Sequence, residues 1–310
     1  MISYYPDDPP PRWHSPVLAL GNFDGLHRGH AKIIDRVRRR AGERGGTPAA
    51  MTFDPHPSRI VRPDKAPALL MTTEQRLEAL ARAGMQGVAV LRFTHEMSLW
   101  DPEMFVRTVL VEWLHVAEVW VGANFLFGHD RAGTFTVLRG LGSRHGFRAE
   151  KIDAVRYKDF VVSSTRIRRL VSEGRVDEAG ALLGHHFFID GTVVRGAERG
   201  RQIGFPTANL QTANELLPPA GVYATTASVN GIAWPSVTNV GLRPTFGDVD
   251  RIQVETHLLD ATRDLYGAQV RLSFVQRLRD ERKFADVDAL RAQIDADCRA
   301  ARRLFGRISL

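Results

Sequence analysis

The chain has a single cysteine, Cys298, among 310 residues. One cysteine allows no disulfide within the chain and excludes a zinc site built from several thiolates. The sequence also lacks a long apolar run, and its first residues show neither the basic nor the apolar segment of a secretory signal. These absences predict a protein of a reducing, cytoplasmic setting with no membrane partner.

Length and charge leave a wider choice. Because 310 residues exceed what one hydrophobic core usually serves, two domains are expected. A net charge of +7 suits nucleic acid and polyphosphate substrates alike. The arginine runs at 38–40 and 302–303 fall on helical patterns whose other faces are apolar, so we interpret them as solvated faces. We therefore expect small-molecule partners and no nucleic acid, while the sequence predicts no oligomeric state.

Short apolar runs alternate with helical patterns in the first part of the chain. This alternation is typical of a mostly parallel, doubly wound sheet. The predicted strands cover 17–20, 49–53, 88–91 and 116–121, and helices are predicted over 72–83 and 102–114. Ligands of such sheets bind at the carboxyl ends of the strands. Three unusual segments lie at these ends, 21–30, 54–57 and 122–128.

From residue 187 onward the pattern changes to strands separated by glycine and proline turns, followed by a helix that Asp286 caps. Such a run predicts a small antiparallel β-barrel. The predicted fold class is therefore α/β, with a Rossmann-like domain and its parallel sheet at 1–184, and a barrel domain with a C-terminal helix at 185–310. The predicted barrel strands are 187–194, 222–229, 232–240, 252–259 and 270–278.

The segment 21–30 reads G-N-F-D-G-L-H-R-G-H and joins a predicted strand to a helix. Its glycines let the backbone approach a ligand, and the N-terminus of the following helix favours an anion. His27 and His30 project toward the same place. They could be zinc ligands, although no further ligand cluster is in view. They could also be packed core histidines, or groups that stabilise the charge developing on a phosphate during displacement.

The pattern G-x-F-D-G-x-H-x-G-H resembles the signature of the nucleotidyltransferase superfamily, in the form found in prokaryotic bifunctional riboflavin kinase/FAD synthetases (FMN adenylyltransferases). The segments 52–57, 122–128 and 162–168 resemble the later adenylyltransferase motifs of this family in order and spacing. The resemblance implies that Ser164, Thr165 and Arg168 hold the triphosphate, and that Asn124 lies near the nucleotide and flavin. The implied ATP-binding loop contains Gly21, Phe23, Gly25 and Gly29.

The second half resembles the riboflavin kinase motif that ends in P-T-A-N, here at 206–209. No Walker A loop occurs, and we interpret Gly140-Leu141-Gly142 as a loop outside any dinucleotide fingerprint. Thr207 and Asn209 are uncharged oxygen ligands suited to Mg²⁺ alongside substrate phosphates. The residues implied to hold ATP phosphates here are Gly196, Gly200, Arg201 and Gly204.

Glu255 lies in a predicted strand on the face opposite Val254 and Thr256. It could be an outward surface carboxylate. The resemblance instead implies that it is the general base for the 5′-hydroxyl of riboflavin.

The implied function is the phosphorylation of riboflavin to FMN and the adenylylation of FMN to FAD, with Mg²⁺ and ATP in use and pyrophosphate released. Two alternatives stay open. One is a nucleotidyltransferase for another phosphorylated acceptor, with an accessory barrel, and the other is a non-catalytic flavin- or nucleic-acid-binding protein.

Overall fold

The computed structural model describes residues 2–196, 200, 203–243, 251–260 and 265–307. The chain forms two compact units, Met1–Ser164 and Thr165–Leu310. The sequence places the domain boundary later, at 184/185, and that boundary stays a prediction. Among the described helices, none combines the length and apolar character needed to cross a membrane.

The first unit contains a parallel sheet of six strands, which confirms the predicted fold class. The strands are β1 (Ile2–Tyr4), β2 (Val17–Leu20), β3 (Pro48–Phe53), β4 (Gly87–Leu91), β5 (Glu118–Gly122) and β6 (Arg148–Ile152), followed by a hairpin of β7 (Arg156–Tyr157) and β8 (Phe160–Val161). The helices are α1 (Arg28–Arg44), α2 (Pro57–Val61), α3 (Thr73–Arg82), α4 (His95–Ser98), α5 (Pro102–Phe105) and α6 (Phe135–His145).

The sheet is buried on both faces, as a sequence of continuous apolar strands requires. All four residues of β2 are buried. One face packs against α1, whose apolar residues Ile33, Ile34 and Val37 recur at helical spacing. The other face packs against α6 and the segment that follows α5. Each buried leucine or valine contributes about 1.5–3 kcal/mol to folding, so this core fixes the strand that precedes the loop 21–30.

The strand order is β1-β4-β3-β2-β5-β6. The chain proceeds from β2 toward β3 and β4 on one side, and from β5 to β6 on the other side. The point of reversal lies between β2 and β5. In open α/β sheets, ligands bind outside the carboxyl ends of the strands at such a point.

Two predictions of secondary structure need correction. The segment 102–114 is not one α-helix, because α5 continues as a π-helix over Val106–Trp113. The residues Gly140-Leu141-Gly142 are not a loop but lie inside α6, where Leu141 and Gly142 are buried against the sheet. In contrast, the capping box between Thr72 and Gln75 at the start of α3 is present as predicted.

The second unit contains a barrel and three helices. The elements are α7 (Ser164–Ser172, which starts at the last residue of the first unit), α8 (Val176–Leu183), β9 (Phe187–Val194), β10 (Ala208–Thr212), β11 (Gly221–Val229), β12 (Ile232–Arg243), β13 (Arg251–Leu258), β14 (Gln269–Arg279) and α9 (Val287–Phe305). The barrel is closed, with strand order β10-β13-β12-β11-β14-β9 and every pair antiparallel. The barrel prediction is confirmed, and β10 adds a strand that the sequence did not reveal. The helix α9, which Asp286 caps, covers the outer face at Val222 and Val237.

Candidate active sites

The loop after β2 turns sharply because three of its residues have a positive φ: Phe23 (51°), Gly25 (83°) and Leu26 (37°). For non-glycine residues, this conformation costs about 1–3 kcal/mol each and persists only where the surroundings enforce it. The side chain of Phe23 is fully buried and anchors the turn. At Gly21, in contrast, an added Cβ would make only ordinary contacts with the Phe23 ring.

His27 and His30 are brought together at the start of α1. His27 is the N-cap residue, and its Nδ1 accepts a hydrogen bond from the backbone N–H of His30 at 3.2 Å. The two rings stack with centroids 3.7 Å apart and an interplanar angle of 10°. The ring of Phe23 meets His30 edge-on at 5.2 Å. These contacts hold the two imidazoles together.

The hydrogen bond to Nδ1 also determines what His27 can do. A neutral imidazole whose Nδ1 accepts carries its proton on Nε2. The Nε2–H is then a donor. The close approach depends on Gly29, since a Cβ there would lie 3.0 Å from His27 Cε1.

Two further loops lie beside this one, because β3 and β5 are the two neighbours of β2. The loop after β3 contains a cis Asp54–Pro55 bond, and its His56 Nε2 lies 3.0 Å from Asn22 Nδ2. Asn124 is exposed in the turn that follows β5. The predicted grouping of the segments 21–30, 54–57 and 122–128 at one sheet edge is thus present.

Ser164 contacts the loop directly. Its hydroxyl donates a hydrogen bond to the carbonyl oxygen of Asp24 at 2.9 Å. This hydrogen bond stabilises the loop conformation. The role of Ser164 as a triphosphate ligand stays a prediction. Thr165, which is exposed, and the partly buried Arg168 follow on α7 in the second unit, and their phosphate-binding role likewise stays a prediction.

Arg76 on α3 is a residue that sequence reasoning missed. It is only 1% exposed, and its guanidinium donates to the carbonyl oxygens of Asn22 and Phe53, both at 3.1 Å. The helical pattern gave no signal for this position, because an arginine in an amphipathic helix normally lies on the solvated face.

The second site lies on the wall of the barrel. Glu255 of β13 stands opposite Asn209 of β10 on one side and Asn239 of β12 on the other. Val254 and Thr256 are both 1% exposed, so the alternation predicted for Glu255 is confirmed. Register alone therefore brings Glu255 and Asn209, which are distant in sequence, to one place.

Gln253 connects these two residues and was also missed. Its Nε2 donates to Asn209 Oδ1 and to Glu255 Oε1, each at 2.6 Å. One amide group thus orients the predicted metal ligand and the predicted base. The position of Gln253 could have been predicted, because residues two apart in a strand share a face and Gln253 is two residues before Glu255.

Close approach requires glycine at two positions near this site. A Cβ at Gly196 would lie 2.1 Å from Asn209 Nδ2, and a Cβ at Gly200 would lie 2.4 Å from the carbonyl oxygen of Phe205 and 3.2 Å from Thr207 Oγ1. Gly204 has a φ of 86°. Arg201 lies outside the described residues.

A metal at this site would be held by neutral oxygens. The described part of the chain contains no group of three or more His, Cys, Asp or Glu residues that could hold an ion. Thr207 and Asn209 instead offer the hydroxyl and amide oxygens that suit Mg²⁺ when phosphates and waters complete its shell. The donor set therefore fits Mg²⁺ that arrives with a nucleotide.

Two families match the chain, one over the parallel sheet and one over the barrel, and together they define a transferase. The family described as FAD synthetase matches residues 10–166, and the family described as riboflavin kinase matches residues 183–305. A bifunctional riboflavin kinase/FMN adenylyltransferase of Pseudomonas fluorescens is 39% identical over 93% of this chain and 92% of that protein. The enzyme of the same description from Escherichia coli K12 is 38% identical over 94% and 93%.

A solved structure covers the chain as well. It is titled a macrolide-efflux protein from Streptococcus pneumoniae, and it matches with a TM-score of 0.89 and 28% identity over 97% of this chain and 99% of that one. The likeness extends through both units. The chain belongs to the family of bifunctional riboflavin kinases/FMN adenylyltransferases.

Proposed function

We propose that the chain converts riboflavin to FMN at the barrel and FMN to FAD at the parallel sheet, with ATP as the donor in both reactions. One observation carries this proposal. The two family matches cover two different sets of predicted site residues, His27 and His30 in the first and Asn209 and Glu255 in the second. We assign the adenylyltransferase to residues 1–184 and the riboflavin kinase to residues 185–310.

In adenylyl transfer, the phosphate of FMN attacks the α-phosphorus of ATP and pyrophosphate leaves. His27 and His30 donate to the oxygens of the crowded phosphorus centre, where negative charge accumulates. The stacked geometry supports this role, because a preformed pair does not need to reorganise during the reaction. No covalent enzyme intermediate is needed, because positioning and electrostatic stabilisation are sufficient to catalyse such transfers.

The ATP of this step is held by backbone and hydroxyl groups. The loop with Gly21, Phe23, Gly25 and Gly29 places its N–H groups and the N-terminus of α1 beside the phosphates. Asn124 contacts the nucleotide or the flavin. The leaving pyrophosphate is retained by Ser164, Thr165 and Arg168.

In riboflavin phosphorylation, Glu255 takes the proton of the 5′-hydroxyl as that oxygen attacks the γ-phosphorus of ATP. General base catalysis of this kind contributes about 10²–10⁴-fold to the rate. Thr207 and Asn209 hold Mg²⁺, which neutralises phosphate charge when it is bound. We predict that Gly196, Gly200, Arg201 and Gly204 bind the phosphates.

We further propose that the enzyme works in the cytoplasm on small molecules, without a nucleic-acid or membrane partner. The arginine-rich helices support this, because several of their arginines form ion pairs with carboxylates. Arg39 pairs with Asp35 in α1, and Arg299 pairs with Asp295 in α9. Paired arginines of this kind favour a solvated face.

A turnover assay with riboflavin, FMN and Mg·ATP tests the proposal, with chromatography of the flavin products. His30→Ala should stop the formation of FAD from FMN and leave the formation of FMN from riboflavin intact. Glu255→Ala should do the reverse when FMN is supplied. If His30→Ala still makes FAD at nearly the rate of the unmodified enzyme, the charge-stabilising role is wrong. Loss of both activities in either variant would indicate a folding defect instead.

A further inference from the structure

The buried Arg76 connects α3 to the ends of two neighbouring strands. Arginine is almost never fully buried unless it is paired. Here Nη1 donates to the carbonyl oxygen of Asn22, just beyond β2, and Nη2 donates to that of Phe53, the last residue of β3. The hydroxyl of Thr52 donates to the same Asn22 oxygen at 3.0 Å. The guanidinium therefore fixes how the chain leaves both strands.

A second set of contacts runs in the opposite direction, from the loop to α3. The buried carboxylate of Asp24 accepts the backbone N–H groups of Leu70 and Met71 at 3.1 and 3.0 Å, directly before the capping residue of α3. Phe23, with its φ of 51°, lies between these two attachments. The strained residue is thus held on its N-terminal side by Arg76 and on its C-terminal side by Asp24.

The charge of Arg76 also matters for a phosphate site. Burial lowers the pKa of Arg76, while the carboxylates of Asp24 and Asp54 act against this change. An arginine remains protonated in proteins. The positive charge of Arg76 therefore offsets the partial negative charge of the carbonyl oxygens at the strand ends. Without it, these oxygens would repel the phosphates of a nucleotide.

We propose that Arg76 is a positioning residue for adenylyl transfer: it holds the loop 21–30 in the strained conformation that directs His27 and His30 at the α-phosphorus. This inference rests on the proposed function of the loop. It goes beyond it, because Arg76 contacts only the protein and acts through the loop backbone.

The test compares three variants of the full chain. Arg76→Met removes the donors, Arg76→Lys keeps the charge but cannot span both carbonyls, and Arg82→Met removes an exposed arginine from the same helix. We measure kcat and KM for FAD formation, the rate of riboflavin phosphorylation and the midpoint of thermal unfolding. Arg76→Met should lower kcat for FAD formation by about 10²-fold with little change in KM, as a misplaced catalytic group does. Arg76→Lys should show a smaller loss, and Arg82→Met none.

Riboflavin phosphorylation serves as the internal control and should be unchanged in every variant. The inference is overturned if Arg76→Met keeps its kcat for FAD formation, or if it loses thermal stability but regains full kcat when assayed well below its own unfolding midpoint. If Arg76→Met does not fold, Arg76→Lys decides by the same criteria. Failure of the proposed function looks different, because the unmodified chain would then make no FAD.

Discussion

The backbone of Gly29 lies against the imidazole of His27, so that a Cβ at position 29 would be 3.0 Å from Cε1 and 3.1 Å from Nδ1. A substitution at position 29 therefore tests the position of the His27 ring without removing either imidazole.

Gly29→Ala should displace the His27 ring and lower the rate of FAD formation by about 10- to 100-fold, without loss of the fold. The matched control is Gly42→Ala in the same helix, where a Cβ would meet nothing within 4 Å. The control should keep its activity and gain about 0.5–1 kcal/mol of stability, because alanine favours the helix. Rates from chromatography and urea unfolding curves measure both effects. Equal rates in the two variants would contradict the proposed contact.

Gly196→Ala should impair the other reaction. The new Cβ would lie 2.1 Å from Asn209 Nδ2, so the asparagine must move away from Gln253 and Glu255. We expect riboflavin phosphorylation to fall by at least about tenfold, with a higher Mg·ATP requirement, while FMN is still converted to FAD. Gly140→Ala is the control, since its Cβ would be in open space. If Gly196→Ala phosphorylates riboflavin at the normal rate, the reaction does not depend on the position of Asn209.

Glu118, at the start of β5, is fully buried and accepts hydrogen bonds from Arg40 Nε and Nη2, both at 3.0 Å, and from Trp120 Nε1 at 2.6 Å. Glu118→Gln should reduce the free energy of unfolding by about 3–5 kcal/mol, because it breaks the ion pair between Arg40 and a buried carboxylate. Glu43→Gln removes an exposed partner of the same arginine and should cost at most about 1 kcal/mol. Urea unfolding at neutral pH measures both. A similar loss in the two variants would refute the distinction.

The same carboxylate should make stability depend on pH. Burial alone would raise the pKa of Glu118, but the hydrogen bonds from Arg40 and Trp120 outweigh burial and lower it. A carboxylate with a lowered pKa stabilises the fold above its unfolded-state value and loses this contribution as the pH falls below it. The stability difference between the unmodified chain and Glu118→Gln should therefore shrink as the pH is lowered from about 4.5. A constant difference down to the acid transition would contradict this.

Cys298 should be inert in the folded protein. Its side chain is buried in α9, and burial raises the pKa of the thiol to about 11. Because the thiolate is the reactive form, a disulfide reagent at pH 8 should modify Cys298 only after denaturation. Cys298→Ser/Val287→Cys carries one thiol at a position that is 58% exposed and should react at once. Rapid modification of native Cys298 would show that α9 opens readily.

The sequence predicts the strands that are rich in apolar residues. The predicted segment 187–194 has the observed bounds of β9, and the four apolar residues of β2 give that strand. In contrast, β10 has the polar sequence ANLQT, and β6 at the sheet edge has the charged sequence RAEKI. These strands form because a neighbouring strand offers hydrogen bonds, which a local pattern does not contain.

The candidate sites divide in the same way. His27 and His30 are neighbours in sequence at a strand-to-helix turn, so their proximity could be predicted. The roles of Arg76 and Gln253 depend on partners far along the chain or on another strand. An arginine donating to carbonyl oxygens inside the protein looks like any surface arginine until the fold is known. The parts of each site that could not be predicted from the sequence are therefore those that depend on long-range contacts.

The strand order has a consequence for contact between copies of the chain. A closed barrel has no unpaired strand edge, and the parallel sheet has only β1 and β6 at its ends. β1 has three residues, and β6 carries Arg148, Glu150 and Lys151. Short or charged edge strands are poor templates for a strand of another molecule. The barrel and the parallel sheet are thus built to resist aggregation through strand addition.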